Sequence, residues 1–196
     1  MTGRSTCHIH WKSLVGIHQT IDLMSIQNLL ELDARFSARL LIPEEKKWLK
    51  RIAAFFAHSG DSWYWGLGLI LLYFLGPRSW RPQIILLLAG IFFTALSVLI
   101  MKFLIKRPRP EGSWGEIYRN SDPHSFPSGH AARASMLTLV TFLSGLWWLG
   151  LILLLWAILV DLSRICLGVH YLSDFLGGTL FGLIMGVVVF WVYSLI

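Results

Sequence analysis

The stretch QIILLLAGIFFTALSVLIMKFLIKRPRP at residues 83–110 decides the fold, because Gln83 to Ile105 carries a single charge, Lys102, before the chain turns basic and proline-rich. An unbroken apolar run of about 20 residues matches the hydrocarbon thickness of a bilayer, and apolar residues all round a helix have no place on a soluble surface. Pro108 and Pro110 lack the backbone donor a helix needs, so the span must end close to Arg107. Outward from this stretch lie further apolar segments at 62–76, 131–148, 149–165 and 171–196, with Gly76-Pro77-Arg78, Gly145 and Gly150 as the breaks. The 196-residue composition agrees: 55% of residues are hydrophobic and only 14% charged, with a mean hydropathy of +0.61. Trp63, Tyr64, Trp65, Trp80, Trp147, Trp148, Trp191 and Tyr193 stand near the predicted span ends, where aromatic rings settle at headgroup level. The expectation is an all-α, multi-pass transmembrane helical bundle of five to six membrane helices.

The N-terminal part reads differently. Over residues 22–42, Ile26, Leu29, Leu30, Phe36, Leu40 and Leu41 recur at near-helical spacing among Glu31, Asp33, Arg35 and Arg39, which predicts an amphipathic helix rather than a span. Pro43-Glu44-Glu45 then opens a second interfacial helix over 44–57. Residues 1–60 are therefore expected to form a tail with amphipathic interfacial helices, and 61–196 the membrane domain. The net charge is +6, but no basic run interleaved with aromatics marks a nucleic-acid groove, so the partners expected are the bilayer and its anionic lipids. No cleaved targeting segment is evident in the first twenty residues, His8 and His10 make a weak metal pair, and Cys7 and Cys166 lack metal-ligand spacing and read as unpaired thiols.

Three polar clusters stand at the ends of the apolar segments: Lys102 with Arg109-Pro110; Pro127-Ser128-Gly129-His130; and Ser163-Arg164 followed by His170 and Asp174. If the spans alternate, all three face one end of the bundle, and 106–130 is the one long polar connection, a place where function concentrates. Their shared chemistry is the handling of phosphate. Lys102, Arg109 and Arg164 supply positive charge for equatorial oxygens, and Ser128 and Gly129 open a helix whose N–H groups can hold an anion. His130 fits a proton donor to a leaving oxygen. The spacing of four between His170 and Asp174 predicts one helix face, with the carboxylate orienting an imidazole that can attack phosphorus. Each group has a plainer reading beside this one: a snorkelling cation, an ordinary Ser cap, a helix-terminal His held by an acid. No carboxylate cluster has the spacing of a Mg²⁺ site, so no metal or other cofactor is expected.

Lys102-x₆-Arg109-Pro110, Pro127-Ser128-Gly129-His130 and Ser163-Arg164-x₅-His170-x₃-Asp174 together resemble the three-part signature of the type 2 phosphatidic acid phosphatase superfamily, complete and in order across residues 102–174. The resemblance implies a membrane enzyme without metal, with His170 as nucleophile, Asp174 as its aid, His130 as general acid, and Lys102, Arg109, Ser128, Gly129 and Arg164 as phosphate ligands. It implies a lipid phosphate or diphosphate as substrate, and the short chain with its amphipathic lead-in is similar to bacterial undecaprenyl pyrophosphate phosphatases, phosphatidate and phosphatidylglycerophosphate being the other candidates. A phosphotransferase using the same site, or a non-enzymatic transporter, is the alternative, the latter disfavoured by polar groups lying at span ends rather than mid-span. The resemblance also implies a cell (inner) membrane location with an extracytoplasmic site. Arg35, Arg39, Lys46, Lys47, Lys50 and Arg51 pull the other way under the positive-inside rule, which a sixth inserted element within 22–42 or headgroup binding would reconcile.

Overall fold

The structure is a computed structural model that describes residues 27–111, 114 and 122–195. The terminal His8, His10 and His18, Cys7, the start of the predicted 22–42 helix, and Glu116 and Arg119 of the long connection lie outside the described residues. Among those described there are seven α-helices and no strand: α1 (27–39), α2 (Lys47–Ser59), α3 (Ser62–Leu75), α4 (Arg81–Ile105, entered through a 3₁₀ turn at Arg78–Trp80), α5 (Gly129–Leu143), α6 (Trp147–Cys166) and α7 (Leu172–Ser194).

Three of these helical stretches are long and apolar enough to cross a membrane: Arg78–Ile105, Trp147–Cys166 and Leu172–Ser194. The apolar segments predicted at 62–76 and 131–148 become the shorter helices α3 and α5. α5 ends at Leu143 because Gly145 adopts φ +79° and turns the chain, so that α6 starts at Trp147. At the other break, α4 closes on Lys106 in the left-handed conformation, ahead of Pro108 as the sequence requires.

The bundle is inside out relative to a soluble protein. Leu104 is 73% exposed and Trp148 82%, whereas Asp174 is 0% and His170 2% exposed. Such apolar exteriors are stable only against lipid, and polar groups gathered inside such a bundle mark a functional site.

α5 is the central helix and packs on α4, α6 and α7, while α2 lies on α6 and α3 on α4. Ala131, Ala132, Ala134, Met136, Leu137 and Val140 of α5 are all at most 1% exposed. The tight α5–α7 contact follows from a stripe of glycines four apart on α7: a Cβ on Gly182 would stand 2.1 Å from the Ala132 carbonyl oxygen, and one on Gly178 2.5 Å from that of Ser128. Small residues at this spacing let two backbones approach where lipid supplies no hydrophobic drive for helix association. Near the apolar core, Leu69, Ile84, Leu86, Ile91 and Val189 close around Met136, Leu137 and Val140.

α1 is fastened to the N-terminus of α7. Asp33 accepts from the Ser173 backbone N–H at 3.0 Å and the Ser173 hydroxyl at 2.5 Å, and one turn on, Ser37 Oγ accepts from the Leu172 N–H at 2.9 Å. Two orphan donors of the α7 first turn are thereby capped from a helix 135–140 residues away in sequence.

Candidate active site

The ends of α4, α5 and α6 and the turn before α7 meet around a cavity of about 360 Å³ lined by Lys102, Asp122, Gly129, His130, Arg133, Arg164 and His170. Lys102 comes from the last turn of α4, Gly129 and His130 from the first turn of α5, and Arg164 from the last turn of α6. The three sequence clusters therefore converge. Arg109 and Asp174 do not line the cavity but contact the two ring nitrogens of His170, Arg109 at Nε2 and Asp174 at Nδ1. Ser128 does not line the cavity: its hydroxyl is turned to the Ala131 N–H at 3.4 Å, the ordinary N-cap, and its own N–H donates to the Asp174 carbonyl at 3.0 Å.

His170 corrects one expectation. It precedes α7 rather than sitting on its face, because Gly168, at φ +71°, reverses the chain after α6 and α7 begins only at Leu172. The pairing with Asp174 survives through a capping box. Asp174 Oδ2 accepts from the Tyr171 N–H at 2.9 Å and lies 3.3 Å from His170 Nδ1. The same carboxylate's Oδ1 accepts from Arg107 at 2.8 Å and from the Ser125 hydroxyl at 3.4 Å. With Nδ1–H donated to Asp174, the lone pair is on Nε2, where the Arg109 guanidinium approaches at 3.2 Å.

Arg109 also donates to the Val169 carbonyl at 3.0 Å and to the Asp122 backbone carbonyl and carboxylate at 2.6 and 2.7 Å. Lys102 also pairs with the Asp122 carboxylate. Burial alone would raise the Asp122 pKa, but the Lys102 ammonium and the Arg109 guanidinium outweigh it and hold the carboxyl below its usual range. An acidic oxygen thus occupies cations of the kind a phosphate requires. His170 is moved the other way: burial, helped by Arg164 and Arg109 and opposed by the Asp174 hydrogen bond, pushes its imidazole down to about 3. It is neutral, and so nucleophilic, at any physiological pH.

Arg107, Asp33 and Arg133 are among the contributors that sequence reasoning missed. Arg107, read only as part of the span-ending breaker, binds Asp174, the Ser173 hydroxyl at 2.5 Å and Asp33 at 2.6 Å, and its guanidinium lies 4.2 Å from the centre of the Tyr171 ring. Asp33 looked like one charge on an amphipathic face. Arg133, on the cavity wall one turn after His130, follows an Ala pair in an apolar helix, and that intramembrane charge was its signal.

Two solved structures resemble the chain. One is a transmembrane PAP2 type phosphatidylglycerolphosphate phosphatase from Bacillus subtilis, with 25% identity, a TM-score of 0.68, and 86% of this chain and 88% of that one covered. The other is the LpxE of Aquifex aeolicus, with 29% identity, a TM-score of 0.59, and coverage of 82% and 93%. The fold and the converged site define a phosphatase embedded in the membrane. Residues 83–195, more than half of the chain, match the family model of the PAP2 superfamily, and the chain belongs to that superfamily.

Proposed function

We propose that the protein is an integral membrane lipid phosphatase that removes phosphate from a lipid phosphate or diphosphate through a phosphohistidine on His170. The observation that carries this reading is the orientation of His170: Nδ1 is held by Asp174, and Nε2 is presented beside Arg109 on the wall of a cavity that also holds Lys102, His130 and Arg164.

The substrate phosphoryl group takes the place of the Asp122 carboxylate between Lys102 and Arg109, with Arg164 and the first-turn N–H groups of α5 on its other oxygens. His170 Nε2 attacks phosphorus as the bond to the leaving oxygen breaks, and His130 delivers a proton to that oxygen. Asp174 stabilises the charge that develops on the His170 ring. In the second displacement, neutral His130 takes a proton from water, the oxygen attacks the phosphohistidine, and orthophosphate leaves with His170 regenerated. Fixed guanidinium and ammonium groups supply the charge stabilisation that phosphoryl transfer otherwise draws from a divalent ion.

In this reading α3 and α5 join the three long helices as membrane elements, giving five, with a sixth if the N-terminal segment inserts. α1 and α2 are interfacial lead-in helices of a 1–60 segment attached to the 61–196 phosphatase domain. The site faces the extracytoplasmic side of the inner membrane. The Bacillus subtilis neighbour favours phosphatidylglycerophosphate among the substrates, with phosphatidate and undecaprenyl pyrophosphate beside it. The test is phosphate release by detergent-purified protein in excess EDTA with those three lipids side by side. The reading expects release that survives chelation, the preferred lipid naming the substrate; no release from any of them by folded protein contradicts it.

A further inference from the structure

His130 is held from a part of the chain that no signature motif reaches. At the α2–α3 junction, Asp61 Oδ1 meets His130 Nε2 at 2.8 Å, and Asp61 Oδ2 meets Nδ1 of the half-exposed His58 at 3.2 Å. Asp61 is the N-cap residue of α3, where a carboxylate ordinarily accepts from the first-turn N–H groups, yet it makes no side-chain cap bond. Its oxygens are turned to the two histidines instead. The junction is built around this contact: a Cβ on Gly60 would stand 2.8 Å from His130 Cδ2 and 2.8 Å from Val160 Cγ1. Trp65 and Trp156 pin Ser59 from α3 and α6 by indole N–H bonds of 3.1 and 3.0 Å.

We propose that Asp61 is the positioning residue of the general acid, holding His130 by Nε2 so that Nδ1 delivers the proton to the leaving oxygen, with His58 steadying the second carboxylate oxygen. This rests on the phosphatase reading above. In the first step Nδ1–H passes to the leaving oxygen while Nε2–H stays donated to Asp61; in the second, Nδ1 takes a proton from the attacking water. The other ionisable groups that share the cavity with His130 are Lys102 from α4, Asp122 from the connection before α5, Arg133 from α5, Arg164 from α6 and His170 from the turn before α7. Asp61 is the carboxylate in hydrogen-bond contact with the ring, and a carboxylate in contact favours the proton-bearing form of an imidazole.

The experiment compares wild type, Asp61→Asn and Gly60→Ala, as full-length protein in detergent, on phosphatidate, whose alcohol leaving group needs a proton, and on 4-nitrophenyl phosphate, whose leaving group does not. Asp61→Asn is expected to lower kcat/KM on phosphatidate by roughly 100-fold or more while losing less than tenfold on the aryl ester. The alkaline limb of its phosphatidate profile should move down by roughly 1–3 pH units. Gly60→Ala, which displaces the ring without touching a charge, is expected to show the same leaving-group selectivity. Equal losses on both substrates, or none, would overturn the proposal. NMR titration of labelled His130 decides the matter without turnover: its pKa falls in Asp61→Asn if the proposal holds, and an unmoved pKa overturns it. An inactive wild type with that titration shift would instead count against the phosphatase reading alone.

Discussion

Asp174→Asn exchanges one carboxylate oxygen for an amide, and the site has no place for the new donor. Oδ2 accepts from the Tyr171 N–H and pairs with His170 Nδ1, while Oδ1 accepts from Arg107. If the amide nitrogen takes the Oδ2 position it confronts the Tyr171 N–H, and His170 must move its proton to Nε2, which removes the attacking lone pair. If it takes the Oδ1 position it confronts the Arg107 guanidinium, a charged donor. Either way a part-buried donor loses its acceptor on a fully buried side chain, which costs about 1–3 kcal/mol, and among the described residues Arg107 retains only Asp33 as an anionic partner. Replacing the carboxylate behind a catalytic imidazole lowers kcat by roughly 10⁴ in the Ser-His-Asp case, and roughly 10³–10⁴ is expected here. Single-turnover phosphate release, with thermal unfolding in the same detergent, separates the two effects. A folded Asp174→Asn protein within tenfold of wild-type kcat would refute the assignment of Asp174 as the group that orients His170.

Asp33→Ala removes a cap bond and an ion pair from the α7 N-terminus but leaves Arg107 paired with Asp174, so a loss of roughly 2–4 kcal/mol in stability is expected; an unchanged unfolding midpoint would show that α1 does not brace the site. The His170 pKa of about 3 lies below the ordinary His value near 6.5, so the unfolded chain binds the proton first as pH falls. Stability from the neutral ring is complete above 6.5 and is lost as pH drops toward about 3, by roughly 1.4 kcal/mol per unit. Wild type should therefore lose about 2 kcal/mol more than His170→Gln between pH 6.5 and 4.5 in unfolding measurements, and parallel curves for the two would contradict the neutral ring. For orientation, Glu111→Cys at the site end and Leu146→Cys at the opposite end should react oppositely with an impermeant thiol reagent in intact cells, Glu111→Cys being the labelled one; the reverse pattern would place the site inside.

The candidate site residues stood out as groups because phosphate chemistry demands specific residue types, and covalent spacing keeps them in short clusters. Their convergence followed from alternating spans, since each cluster lies at a helix end. The place of His170 was not legible: a spacing of four reads as one helix face only if the helix is continuous, and Gly168 interrupts it. Gly145 was readable as a break, but the ends around it were not: the run stays apolar through Trp148, whereas α5 stops at Leu143 and α6 starts at Trp147. Partners contributed by distant elements were the least legible. Asp33 and Ser37 cap α7, and Asp61 reaches His130 across 69 residues; in sequence the first two are polar marks on an amphipathic helix and the third an ordinary cap. The glycine stripe Gly178, Gly182, Gly186 carried a signal left unread, since spacing of four between small residues in a span marks a close-packing face.

The central claim is the covalent intermediate on His170. Rapid alkaline quench of the protein turning over ³²P-labelled phosphatidate, followed by peptide mapping, tests it most directly. The account predicts an acid-labile, alkali-stable phosphoryl label on the peptide containing His170, formed at least as fast as phosphate is released and absent from His170→Ala. Steady release of phosphate with no such label, or with the label on another residue, would contradict it.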